Sequence, residues 1–268
     1  MTKLKLEGYY AHLLPRLNIP KEAEIGFLFV QAEEKKHMPE TGPGTNTIWL
    51  GKVKEIMLCG YAIFFLPMLE LYDENHSAEI SLSAPNLEHI SELLSMKDKS
   101  IRLGKTNEVM LYNYAVDIFH KLVLEEKMKK VYLNMSGDGG LTDEMLQAKD
   151  NSVWLGDIER LVLFRYCVNA LPKLRLKDSM EEIELSATEV SNVYEILKTS
   201  DNSIKLWRVK KLVLRGYAIN VLPKLVLHEE DGIEELFISK VDMVCCFDGV
   251  FSPDIDFCFW KIKRLKIE

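Results

Sequence analysis

Apolar and polar residues recur along this chain at two scales. Four stretches carry nearly the same phrase, KEIMLCGYAIFFLPMLEL, NEVMLYNYAVDIFHKLVL, ERLVLFRYCVNALPKLRL and KKLVLRGYAINVLPKLVL. A further copy opens the chain as KLKLEGYYAHLLPRLNI, and a truncated one closes it as KRLKIE. The second apolar residue of the Leu-x-Leu core falls at Leu6, Leu58, Leu111, Leu163, Leu214 and Ile267, 51 to 53 residues apart. Each period holds a weaker copy anchored at Val30, Leu82, Leu133, Leu185 and Ile238, so a unit of 22 to 24 residues alternates with one of 28 to 30. Alternate apolar positions predict a strand with its leucines on one side and their neighbours on the other. A lone strand of this kind cannot bury its leucines, but stacked copies form a continuous core. The spacing therefore predicts one solenoid domain over residues 1–268, with ten or eleven short parallel strands.

In the longer units, APNLEHISELLSMKDKS and ATEVSNVYEILKTSDNS place apolar residues at helical spacing. Leu87, Ile90, Leu93 and Leu94 form one such face, and Val190, Val193, Ile196 and Leu197 another. The copy SGDGGLTDEMLQ is broken by glycine and predicts a shorter helix; VDMVCCFDGVFSPDIDFC, with Pro253, has no clean period and reads as irregular.

The phrase Val209-x-x-Leu212-x-Leu214, followed by Ile219, Leu222 and Pro223, resembles the leucine-rich-repeat superfamily. The resemblance covers the whole chain. It implies an α/β horseshoe with a curved parallel sheet on the concave face and short helices or turns on the convex face. One feature departs from the family. Where an asparagine is expected, the short units carry Tyr9, Tyr61, Tyr114, Tyr166 and Tyr217, and the long units Glu33, Pro85, Ser136, Thr188 and Val241. No asparagine ladder is expected. The tyrosines are expected to fill the turns with their rings while the hydroxyls reach water or backbone.

Anchor leucines in the core commit the residues between them to the opposite, concave side. One column there contains Phe29, Met57, Met110, Tyr132, Val162, Val213 and Phe237; the adjacent one contains Tyr112, Phe164 and Arg215. The middle of this face reads as large and nearly uncharged in a chain that is 28% charged. Exposed apolar patches of a few hundred Å² mark interaction sites, and Met, Tyr and Phe are enriched in interface cores. These ten residues are the candidate partner site, and most of them are expected to be substantially exposed.

Composition narrows the classes. The net charge of −7 argues against a nucleic-acid binder, which needs a basic face. The longest near-apolar run, Ile56 to Leu69, is too short for a bilayer and contains Pro67. Neither a secretory signal nor a membrane role is expected. Five cysteines (Cys59, Cys167, Cys245, Cys246, Cys258) show no chelating or disulfide spacing, which favours a reducing compartment such as the cytoplasm. Motifs for nucleotide binding, zinc hydrolysis or serine catalysis are absent. The six histidines are scattered, and His89 reads as a solvated residue on a convex helix.

The expected function is therefore that of a protein-interaction module or adaptor, without cofactor, metal or catalysis. Two rival classes stand beside it. One is the substrate-recognition part of a larger enzyme such as a ubiquitin ligase; the other is structural assembly through uncapped ends, as an oligomer or within a longer parent chain.

Overall fold

Each Leu-x-Leu phrase among the described residues forms a strand. The structure is a computed structural model that describes residues 2–20, 22–39, 47–70, 78–124, 127–137, 140–176, 180–206, 208–227, 233–239 and 262–268. Contacts group the chain into two compact units, Met1–Met128 and Lys129–Glu268.

The first unit carries β1 (Thr2–Glu7), β2 (Glu24–Ala32), β3 (Glu55–Gly60), β4 (Ala78–Ala84) and β5 (Thr106–Asn113), paired in chain order. The second carries β6 (Met128–Met135), β7 (Ile158–Arg165), β8 (Met180–Ala187), β9 (Val209–Gly216), β10 (Glu235–Ser239) and β11 (Arg264–Ile267), again in chain order. Every described register is parallel and matches anchor to anchor: Leu6↔Val30, Val30↔Leu58, Leu58↔Leu82 and Leu82↔Leu111 in the first unit. In the second it reads Leu163↔Leu185, Leu185↔Leu214, Leu214↔Ile238 and Ile238↔Ile267. Strands alternating with short helical turns in a parallel sheet make an α/β solenoid, as the repeat predicts. The anchors from Leu6 to Ile238 are all buried; Ile267, on the terminal strand, is 61% exposed because no described strand follows β11.

After each short-unit strand the chain turns into a 3₁₀ helix: Gly8–Arg16, Tyr61–Met68, Tyr114–Lys121, Tyr166–Lys173 and Tyr217–Lys224. The residue at the bend has positive φ, and at Gly60 a Cβ would lie 2.3 Å from the Ala32 carbonyl oxygen. Only glycine fits there. The LPxL end of the phrase then forms a small parallel ladder away from the main sheet: Ile48–Trp49 with Leu69–Glu70, Ile101–Arg102 with Leu122–Val123, Val153–Trp154 with Leu174–Arg175, and Ile204–Leu206 with Leu225–Leu227. In three periods the lysine before that strand clamps the preceding turn: Lys121–Asp98 at 2.8 Å, Lys173–Asp150 at 2.8 Å and Lys224–Asp201 at 2.7 Å.

The helices of the long units are shorter than their periodicity predicts. A 3₁₀ turn, Leu87–Ile90 or Val190–Val193, leads into a single α turn, Ser91–Leu94 or Tyr194–Leu197. So short a helix cannot bury four apolar positions. Ile90, Leu93, Val193 and Ile196 are in the core, while Leu87 and Val190 in the first turn stay exposed. The glycine-broken copy contributes only Asp143–Gln147. Residues 241–258, expected to be irregular, and with them Cys245, Cys246 and Cys258, lie outside the described residues.

His89 is a correction to the sequence reading. It is 8% exposed and stands edge-on to Tyr61 at 4.6 Å, and its Nδ1 accepts the Asn86 backbone N–H at 3.2 Å. Burial pushes its pKa below the usual 6.5. His37 repeats this arrangement against Tyr9 and the Glu34 N–H. In a later period Asn192 does the same work, accepting the Thr188 and Glu189 N–H groups at 3.1 Å. The turn-capping role of the missing asparagine is thus filled four residues further on, by His37, His89 and Asn192. Two of the tyrosine hydroxyls reach side chains rather than backbone: Tyr61 donates to Glu88 and Tyr166 to Ser191.

Candidate functional site

The outer face of the sheet, opposite the anchors, contains all ten predicted site residues. In the first unit, β2 presents Phe27 and Phe29, stacked at 6.3 Å. Met57 and Cys59 follow on β3, Ser81 and Ser83 on β4, and Met110 and Tyr112 on β5, in register across the sheet. Phe29, Met57, Met110 and Tyr112 are each half-buried. Lys5 lies over the Phe29 ring at 5.3 Å, and the Tyr112 hydroxyl donates to the Met110 sulfur at 3.8 Å. The Cys59 thiol is pushed up to about 11 by burial, so it stays protonated at neutral pH and is a poor nucleophile.

The second unit departs from the expected uncharged surface. Val162, predicted to be exposed, is only 5% exposed, and Val213 and Phe237, predicted to contact a partner, are 1% and 9% exposed. The cause is the flanking strands. Glu184 on β8 sits in register between Val162 and Val213, accepting from Arg160 at 2.9 Å and Arg215 at 2.8 Å. Burial alone would raise the Glu184 carboxyl, but the hydrogen bonds from Arg215 and Arg160 outweigh it and hold it below the usual range. This ion-paired group lies between and beside the two buried valines on the same face. Arg215 and Lys266 close over the Phe237 ring at 5.2 and 5.0 Å. Tyr132 and Phe164 are half-buried, each with a cation over its ring, from Lys130 at 5.6 Å and Arg165 at 5.6 Å. Arg215, predicted to contact a partner, is thereby committed to Glu184 and Phe237.

One row further along the strands the difference sharpens. In the second unit Arg160, Glu182, Lys211, Glu235 and Arg264 stand side by side in register, alternating in sign. Arg160–Glu182 at 2.8 Å, Lys211–Glu182 at 3.1 Å and Arg264–Glu235 at 3.1 Å are ion pairs. The same row of the first unit holds Glu55, Glu79 and Glu108, three like charges in register.

A cavity of about 500 Å³ opens elsewhere in the first unit, beside Tyr61, Phe64, His89 and Leu93. Its charged rim is internally paired, Lys35 with Glu92 at 2.8 Å and Tyr61 with Glu88 at 3.3 Å. Sequence reasoning did not find this cavity, because its walls come from three successive units. Among the described residues there is no cluster of three or more metal-ligating side chains, and no helix is long and apolar enough to cross a membrane.

Comparison with family models, with curated proteins and with solved structures found no match to this chain.

Proposed function

We propose that this chain is a leucine-rich-repeat protein that acts by binding another protein, and that the outer sheet face of its Met1–Met128 unit is the binding surface. One observation carries the reading. Phe29, Met57, Met110 and Tyr112 keep part of their side chains in water, whereas the equivalent valines of the second unit are buried. Leaving apolar area exposed costs about 25 cal/mol per Å², which a bound partner would recover. The role is binding rather than catalysis, in a reducing compartment such as the cytoplasm. The free thiols of Cys59 and Cys167 support that compartment. Proximity labelling in the native cell tests the surface. Met110→Glu should remove the labelled partner, while Tyr194→Ser, at an exposed residue of the long-unit helix, should retain it. Equal labelling by both variants would place the partner elsewhere.

A second reading, assembly through the sheet edge, is favoured by the exposure of Leu265 and Ile267 on β11.

A further inference from the structure

The three glutamates beside the apolar row identify the kind of partner. Glu55, Glu79 and Glu108 lie in register on β3, β4 and β5, with no ion-pair partner among the described residues. Like charges directly opposite on neighbouring strands destabilise a sheet. The second unit avoids that cost with alternating signs in the same row. The first unit retains the repulsion immediately beside Met57 and Met110, each two residues along its strand from a glutamate. A cationic partner would relieve the repulsion and cover the apolar row in one step.

Geometry selects the partner's conformation. Strands lie about 4.8 Å apart, so the three glutamates span about 10 Å across the sheet. A helix rises about 1.5 Å per residue, and residues i, i+3 or i+4, and i+7 share one face over about 10.5 Å. An extended segment covers that distance in about three residues, of which alternate ones point away, so it offers at most two cations.

We propose that this face receives a basic amphipathic helix from a partner protein. Lys or Arg at i, i+3 or i+4, and i+7 would lie over Glu55, Glu79 and Glu108, with the apolar stripe on Met57, Met110 and Tyr112. This rests on the reading of the first unit's outer face as the binding surface. No described segment of a second copy supplies such a helix, since the α-helical segments among the described residues are four or five residues long.

The test uses the full chain and two labelled helical peptides of about five turns. Both carry the same leucine stripe; one has lysines beside it at the stated spacing, the other glutamates. The lysine peptide should bind saturably, at least tenfold tighter than the glutamate peptide, and gain helical circular dichroism on binding. Its affinity should fall at least tenfold in the E55Q/E79Q/E108Q variant, and also as salt rises from about 0.05 to about 0.5 M. The triple variant should melt no earlier than wild type. Met110→Glu should also abolish binding, with Met57→Glu as the independent check if the first variant melts early.

Equal binding of the two peptides, or an unaffected triple variant, would overturn the basic helix. If that binding were still lost in Met110→Glu, the surface would stand. Binding lost in the triple variant but kept in both methionine variants would overturn the surface itself. Absence of binding by the lysine peptide, or a wild-type dimer that Met110→Glu dissociates, would also overturn the inference.

Discussion

His89 shows how one side chain takes over a job the sequence pattern assigns elsewhere. Its Nδ1 caps the turn after β4, its ring packs on Tyr61, and burial keeps it neutral. The folded pKa lies below 6.5, so the unfolded chain takes up the proton first as pH falls. The stability His89 contributes is therefore present above about pH 6.5 and is lost as pH falls through the folded pKa. Asn192 caps the equivalent turn with an amide that does not titrate. His89→Asn should keep most of the stability and flatten its dependence between about pH 7 and 5, whereas His89→Ala should cost about 1 kcal/mol, the usual value of a lost cap. Denaturant midpoints of the three proteins at both pH values would check this. A His89→Asn variant with the wild-type pH dependence would show that another group titrates.

At the scale of the strand, equal positions in the repeat are unequal in energy. Met110 and Val162 occupy the same column, yet Met110 is half-buried and Val162 is buried beside the Arg160–Glu184–Arg215 group. Met110→Glu should change stability by less than about 1 kcal/mol, as partly exposed sites do. Val162→Lys should cost roughly 3 kcal/mol or more, because it buries a third cation beside Glu184, whose oxygens already accept from Arg160 and Arg215. A thermal melt of each variant separates them, and equal losses would mean that the face is uniformly buried. Glu184→Gln should destabilise by roughly 1–3 kcal/mol at pH 7, since it leaves Arg215 without its carboxylate and Arg160 with Glu182 alone. The sign with pH follows from the lowered folded pKa. The stabilisation is present above the ordinary carboxyl range and is lost as pH falls through the folded value. The gap between variant and wild type should thus close in acid, as equilibrium unfolding at about pH 3 and pH 7 would show.

The whole molecule presents one sheet edge whose chemistry is explicit. β11 pairs with β10 on one side and with no described strand on the other, and Leu265 is 49% exposed beside the exposed Ile267. Unpaired strand edges with apolar side chains recruit further strands. Light scattering of this chain should show association that grows with concentration and is weakened by Leu265→Lys. A concentration-independent mass would rule out assembly through this edge.

The strands and their anchors were legible in the chain because a period of two and a repeat of 51 to 53 residues leave one register in which every leucine is buried. The same alternation places Met57, Met110, Val162 and Val213 on the outer face, as observed. It could not say which of them meets water. That depends on side chains from neighbouring strands, more than twenty residues away in sequence: Glu184 between Val162 and Val213, but Ser81 between Met57 and Met110. Pairing across strands also separates a cancelled row of charges in the second unit from an uncancelled one in the first. Each strand's own sequence sets the side a residue faces, and only the stacked neighbours decide whether that side is covered.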